Sequence, residues 1–155
     1  MEQYTDKRRF KYQSQIAELV AKGYQLPVLY APENMMAYRF VFSRDCHKNH
    51  IPQYMLNPKR MLQDLNRGKA STSLLSLSCF DGNIKAESFY QNLCKAFRNA
   101  PSSIGDSLAE GNLSNDDGLK TETAANGHFD FYEYEGCDLN KTFQLTKRLY
   151  KNEED

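Results

Sequence analysis

Three groups of side chains in this 155-residue chain have the types and spacing to do chemistry. The first is a pair of carboxylates, Glu133 and Glu135, closing the segment His-Phe-Asp-Phe-Tyr-Glu-Tyr-Glu over residues 128–135. Side chains of a strand alternate, so Phe129, Phe131, Glu133 and Glu135 share one face while Asp130, Tyr132 and Tyr134 share the other. A face that starts as core and ends in two acids either runs out of the protein or lines a cleft. In a cleft, a fixed carboxylate stabilises developing positive charge or carries a proton. The second group is hydroxylic: Ser71-Thr72-Ser73 precedes a buried-strand candidate, and Ser76-Leu77-Ser78 lies within it. The third is Cys46-His47-Lys48-Asn49-His50, a thiol and two imidazoles in an irregular, proline-flanked stretch. Structural zinc needs four ligands in paired spacings, and only His128 and distant cysteines complete this set, so no metal is expected. His47 and His50 read as loop histidines, or as proton carriers if a site assembles there.

In chain order, Arg39 on a predicted strand, a Ser-x-Ser at 71–73 or 76–78, Ala86-Glu87-Ser88-Phe89 on a helix, and Glu133-x-Glu135 on a later strand together resemble the ordered signature of ADP-ribosyltransferases. The resemblance implies that NAD is the substrate, that Arg39 helps hold it, and that the Ser-x-Ser strand, through Ser71, Ser73 or Ser76, shapes the nicotinamide pocket. It further implies that Glu135 stabilises an oxocarbenium-like ribose and that Glu133 helps choose the acceptor. Departure of the cationic nicotinamide leaves positive charge on the ribose, which a carboxylate in a dry cleft stabilises strongly. The alternative is a non-catalytic interaction module, with Tyr132, Tyr134 and the basic, aromatic run Lys7-Arg8-Arg9-Phe10-Lys11-Tyr12 facing a protein or nucleic-acid partner.

Twenty Lys and Arg balance twenty Asp and Glu. A dedicated nucleic-acid binder shows a basic excess, so a protein partner is favoured over nucleic acid. No apolar stretch follows the first basic residues and no run approaches a membrane span, which predicts a cytoplasmic protein without membrane contact. Cys46, Cys79, Cys94 and Cys137 have no paired spacing and read as reduced thiols. Phosphate-loop, dinucleotide-fingerprint, nucleophile-elbow and zinc-protease motifs do not occur, and Asn115-Asp116-Asp117-Gly118 is a turn rather than a calcium loop.

The elements that must position these groups follow from periodicity. Apolar residues at three-and-four spacing predict one helix from Asp6 to about Lys22, another over 60–65, and the longest from about Ile84 to Arg98. Alternation predicts strands over 36–43, 73–80, from Phe129, and over 142–150, with the last two pairing as a hairpin. A helical turn is expected over 103–110, a flexible loop over 111–127 and a charged tail over 151–155. The sum is a single α+β domain over 1–155: an antiparallel or mixed sheet of about five strands with two main helices.

Overall fold

The computed structural model describes residues 8–150. The charged tail expected at 151–155 and the start of the first predicted helix at Asp6 lie outside them. The fold is α+β, with six strands among the described residues, β1 (Met35–Val41), β2 (Leu77–Phe80), β3 (Ser107–Leu113), β4 (Gly118–Lys120), β5 (His128–Glu133) and β6 (Gln144–Arg148). They form one antiparallel sheet in the order β4-β5-β2-β1-β3-β6. Six helices accompany it among the described residues: α1 (Gln13–Ala21), α2 (Gln53–Leu56), α3 (Pro58–Asn66), α4 (Asn83–Ala96), α5 (Ala100–Ile104) and α6 (Leu139–Thr142). None is long and apolar enough to cross a membrane.

The pairing is uneven. β1 pairs with β3 along its whole length, from Met35 opposite Leu113 to Val41 opposite Ser107. It meets β2 only at Tyr38 opposite Phe80. The sheet is therefore loosely joined between β1 and β2, and that opening gives side chains of these two strands room to turn toward a common space. Alternation divides each strand between two cores. Ala37, Val41, Leu77, Cys79, Ala109, Phe129 and Phe131 face Leu139 and Phe143, at and just beyond α6. On the other face Phe80 and Leu108 meet Ala86 of α4, while Leu119 and Tyr132 pack against Ile16 and Leu19 of α1 and Met61 of α3.

Local chemistry explains the element ends. Gly23, at φ 96°, stops α1, and Asn57 caps α3 by accepting from the Arg60 backbone N–H, with Pro58 at the first helical position. The first helix begins at Gln13, later than its pattern implied, because residues 9–11 pair with the end of β5: Lys11 N–H donates to the Glu133 carbonyl and Glu135 N–H to that of Arg9.

Three expectations are corrected. The helical turn expected over 103–110 is α5, which ends at Ile104, and from Ser107 the chain is β3, whose burial on both faces removes the alternation that marks a half-exposed strand. The loop over 111–127 holds the end of β3, a turn in which Ser114 N–H and hydroxyl donate to Asp117, and β4. Gly111 lets β3 approach Phe143 closely: a Cβ there would meet the Phe143 ring at 3.0 Å, a tight contact. Finally, β6 does not pair with β5. It closes the opposite edge of the sheet against β3, a strand the sequence pattern hid.

Candidate functional site

Where β1 and β2 diverge, a cleft of about 390 Å³ opens, a volume typical of small-molecule pockets. Arg39 lines it from β1, Ser76 from just before β2, Ser78 from β2, and His128 and Asp130 from β5. These strands are neighbours, and the β2–β5 register sets Ser78 directly opposite Asp130. The apolar wall includes Phe40 and Phe42 from β1 and its extension, and Phe89 and Leu93 from α4. Only Ala86 and Tyr90 of the α4 stripe are buried. The remaining apolar residues of that stripe therefore include two that face a cavity rather than core.

Arg39 is held in a fixed pose. Its Nε donates to His50 Nδ1 at 3.0 Å, and a terminal nitrogen donates to the Ser78 carbonyl oxygen, a backbone acceptor available because β2 barely pairs with β1. Burial, and then the adjacent guanidinium, push the His50 imidazole down to about 3, so it is neutral at pH 7 and accepts from Arg39. His50 has φ 61°, a left-handed conformation uncommon for a side chain of this size, and its ring stacks on Phe143. The stretch 44–58, expected to be irregular, thus supplies one buried histidine to the site, while Cys46 and His47 stay exposed on a 3-10 turn.

At the other side of the cleft, His128 Nε2 and Ser78 Oγ are 2.6 Å apart, and Asp130 Oδ1 is 3.6 Å from the same nitrogen. A serine nucleophile activated by a His-Asp relay requires the serine and the acid on opposite ring nitrogens. Here both approach one nitrogen, so the trio is not a hydrolase triad. Burial raises the Asp130 carboxyl above its ordinary value, with His128 and the Ser76 hydroxyl offsetting part of that shift. Asp130 is a partly desolvated acid at a cavity wall, the environment in which a carboxyl acts on charge or protons.

The residues singled out from sequence divide between the cleft and other places. Arg39, Ser73 and Ser76 line it. Ser71 caps the adjacent 3-10 turn, Thr72–Leu75, accepting from Ser73 N–H. Glu133 is buried on the opposite face of β5 from Asp130, its Oε2 2.8 Å from Lys11 Nζ, and its Oε1 has no hydrogen-bond partner among the described residues. Burial raises its carboxyl, with the Lys11 and Arg39 charges pulling the other way. Glu135 lies where the strand leaves the protein, exposed and 3.2 Å from Arg9 Nε. Tyr132 and Tyr134, the proposed interaction aromatics, are core residues at 1% and 2% exposure. The cleft's own acid and imidazole are Asp130 and His128, to which the sequence pattern assigns no site role. Their signal was a His-x-Asp at period two, on the face that the phenylalanines do not use. No group of three or more His, Cys, Asp or Glu side chains placed to hold a metal ion occurs among the described residues. No protein-family model matches the chain, and neither a curated protein nor a solved structure does.

Proposed function

We propose that the cleft is an NAD-using, ADP-ribosyltransferase-like site in which Asp130, rather than Glu133 or Glu135, is the working carboxylate. The observation that carries this reading is that Arg39 of β1, Ser78 of β2 and Asp130 of β5, three neighbouring strands, together with Ser76 just before β2, line one cavity. In the reaction the bond between ribose C1′ and the nicotinamide nitrogen breaks. The electron pair leaves with the nitrogen, neutralising the pyridinium, and positive charge spreads over C1′ and the ring oxygen. Asp130, ionised and partly dry, stabilises that charge. An acceptor hydroxyl, amine or water then adds at C1′ and loses its proton, for which the imidazole of His128 is within the same cleft. Arg39, immobilised by neutral His50, provides a fixed cation for an anionic part of the substrate without rearrangement during binding.

The test is release of labelled nicotinamide from NAD by the full chain, alongside thermal unfolding with and without NAD. The wild type is expected to release nicotinamide and to unfold at a higher temperature with NAD present. Asp130→Asn should abolish release while keeping the fold, and Glu135→Ala should retain it. Absence of turnover together with an unchanged unfolding temperature refutes the reading. So does loss of turnover in Glu135→Ala with retention in Asp130→Asn.

A further inference from the structure

Ser78 is the exposed residue of an otherwise buried β2, and it lines the cleft. Register puts two further polar side chains on its face of the sheet. Asp130 is directly opposite, and His128 is a diagonal neighbour two residues back along β5, within reach of a long side chain. His128 Nε2 stands 2.6 Å from Ser78 Oγ. The imidazole is oriented by buried Phe80, its own cross-strand partner, whose ring meets it edge-on at 5.4 Å between centroids. We propose that Ser78 is a nucleophile, with His128 as its base, and that the cleft catalyses acyl transfer from carboxylic esters with an apolar acyl group. This goes beyond the NAD reading and does not depend on it.

A serine becomes a nucleophile when its hydroxyl is already bonded to a base and the charge that forms has somewhere to rest. In the tautomer with its proton on Nδ1, His128 accepts from the Ser78 hydroxyl at Nε2. Ser78 Oγ attacks the ester carbonyl carbon, its proton passes to Nε2, and the carbonyl π pair moves onto the oxygen. The tetrahedral centre collapses, the ester C–O bond breaks, and the departing oxygen takes the proton from Nε2, leaving an acyl-serine and an alcohol. Water, deprotonated by the same nitrogen, then releases the carboxylic acid and regenerates Ser78. While Nε2 holds the proton the ring is a cation, and Asp130 Oδ1 at 3.6 Å stabilises it through space, without the far-side hydrogen bond of a triad. Arg39, donating to the Ser78 carbonyl oxygen, brings a guanidinium to the nucleophile's own residue, the sign of charge that a developing oxyanion requires. A triad whose acid no longer orients its histidine loses about 10⁴ in rate, so the substrate is an ester rather than the less reactive amide. The acyl side follows from the wall. Phe80 packs against Phe40 and Phe89, which puts those rings on the Ser78 face of the sheet, and with Phe42 and Leu93 they offer a chain an apolar surface.

The experiment treats the full chain with phenylmethanesulfonyl fluoride, which transfers its sulfonyl group to an activated serine with loss of fluoride, and locates the label by mass spectrometry. One sulfonyl group is expected, on Ser78. Ser78→Ala, at an exposed position where the fold should hold, should take none, and His128→Gln should slow labelling by about 10²-fold or more, the share a positioned base contributes. In parallel, para-nitrophenyl hexanoate should release nitrophenolate faster than the acetate ester, and Ser78→Ala should remove the release above background from both. No label on Ser78, labelling undiminished in His128→Gln, or ester release unchanged in Ser78→Ala overturns the proposal, and a preference for acetate overturns the apolar acyl group. Sulfonylation of Ser78 in a chain that releases no nicotinamide upholds this proposal and refutes the NAD reading. Nicotinamide release by a chain whose Ser78 takes no label does the reverse.

Discussion

Asp130 and Glu133 stand three residues apart on β5 and on opposite faces, and burial pushes both carboxyls up. Their partners differ. Glu133 is sealed against Lys11 at 2.8 Å, in a place where the N-terminal segment covers the strand. Asp130 faces a cavity, with the His128 imidazole 3.6 Å away and hydroxyls nearby. One strand therefore carries one acid paired within the core and one at a cavity wall. A buried carboxylate met by an ammonium completes a core, whereas one at a cavity wall stays open to a ligand that enters the cavity.

The sharpest way to break this comparison is Asp130→Asn. Nicotinamide release should fall by about 10²–10³-fold, the cost of losing a preorganised electrostatic group. The unfolding temperature at neutral pH should hold or rise. A folded-state value above the ordinary one means that the native protein binds the proton more tightly than the unfolded chain. Stability is then greatest at low pH and declines as pH rises through the raised value. Asparagine removes that cost. A marked fall in unfolding temperature would instead make Asp130 a structural residue like Glu133.

Lys11→Met probes the other carboxylate. Removing one member of a buried pair costs about 3–5 kcal/mol when both are dry. The Lys11 side chain is 30% exposed, so screening reduces the expected loss to about 2–3 kcal/mol in urea unfolding. Adding Glu133→Gln should recover much of that loss, because the uncompensated charge goes with it. If the double variant is no more stable than the single, the pair does not hold Glu133 as described.

Sequence pattern was a good guide wherever one face of an element is buried. The strand of Arg39, the helix after Gly82 and the alternation of β5 all follow from it. It failed at β3, where burial on both faces and Gly111 erase the period, and at β6, whose partner is that hidden strand. The site was half legible for the same reason. Arg39 and the serines are odd residues on otherwise apolar strands, and such anomalies stand out. Asp130 and His128 look ordinary on the polar side of a strand, and what makes them a site is register: Ser78 opposite Asp130 is a fact of pairing, invisible before β2 and β5 are known to be neighbours. Glu133 and Glu135 stood out as anomalies too, but the N-terminal segment, which lies over a hundred residues away in sequence, is what answers them.

A smaller effect concerns the support of Arg39. The His50 imidazole, held down to about 3 by burial and the neighbouring guanidinium, protonates more readily once unfolded, where its ordinary value is 6.5. The unfolded chain therefore binds the extra proton between those values, and stability present above pH 6.5 is lost as pH falls toward 3. By pH 5 the loss is on the order of 1–2 kcal/mol from this residue. Asp130 and Glu133, shifted upward, act in the opposite direction. The comparison that isolates His50 is therefore wild type against His50→Gln, in chemical unfolding at pH 7 and pH 5. The acid-induced loss should be smaller in the variant. Equal losses would mean that His50 is not the buried neutral acceptor for Arg39.

The smallest expected effect belongs to Glu135, the residue whose spacing suggested the chemistry. Its side chain is 64% exposed and its partner Arg9 is 55% exposed, so the pair gains little in high dielectric and orders two long side chains to form. Glu135→Gln should change stability by less than about 1 kcal/mol and leave nicotinamide release within twofold of wild type. Raising salt should remove even that stability difference, since exposed pairs are screened where Lys11 and Glu133 are not. A large loss of turnover without loss of fold would place the working carboxylate at the end of β5. It would then follow that residues 9–11 lie differently during turnover, because here they pair with residues 133–135 and bring Arg9 to Glu135.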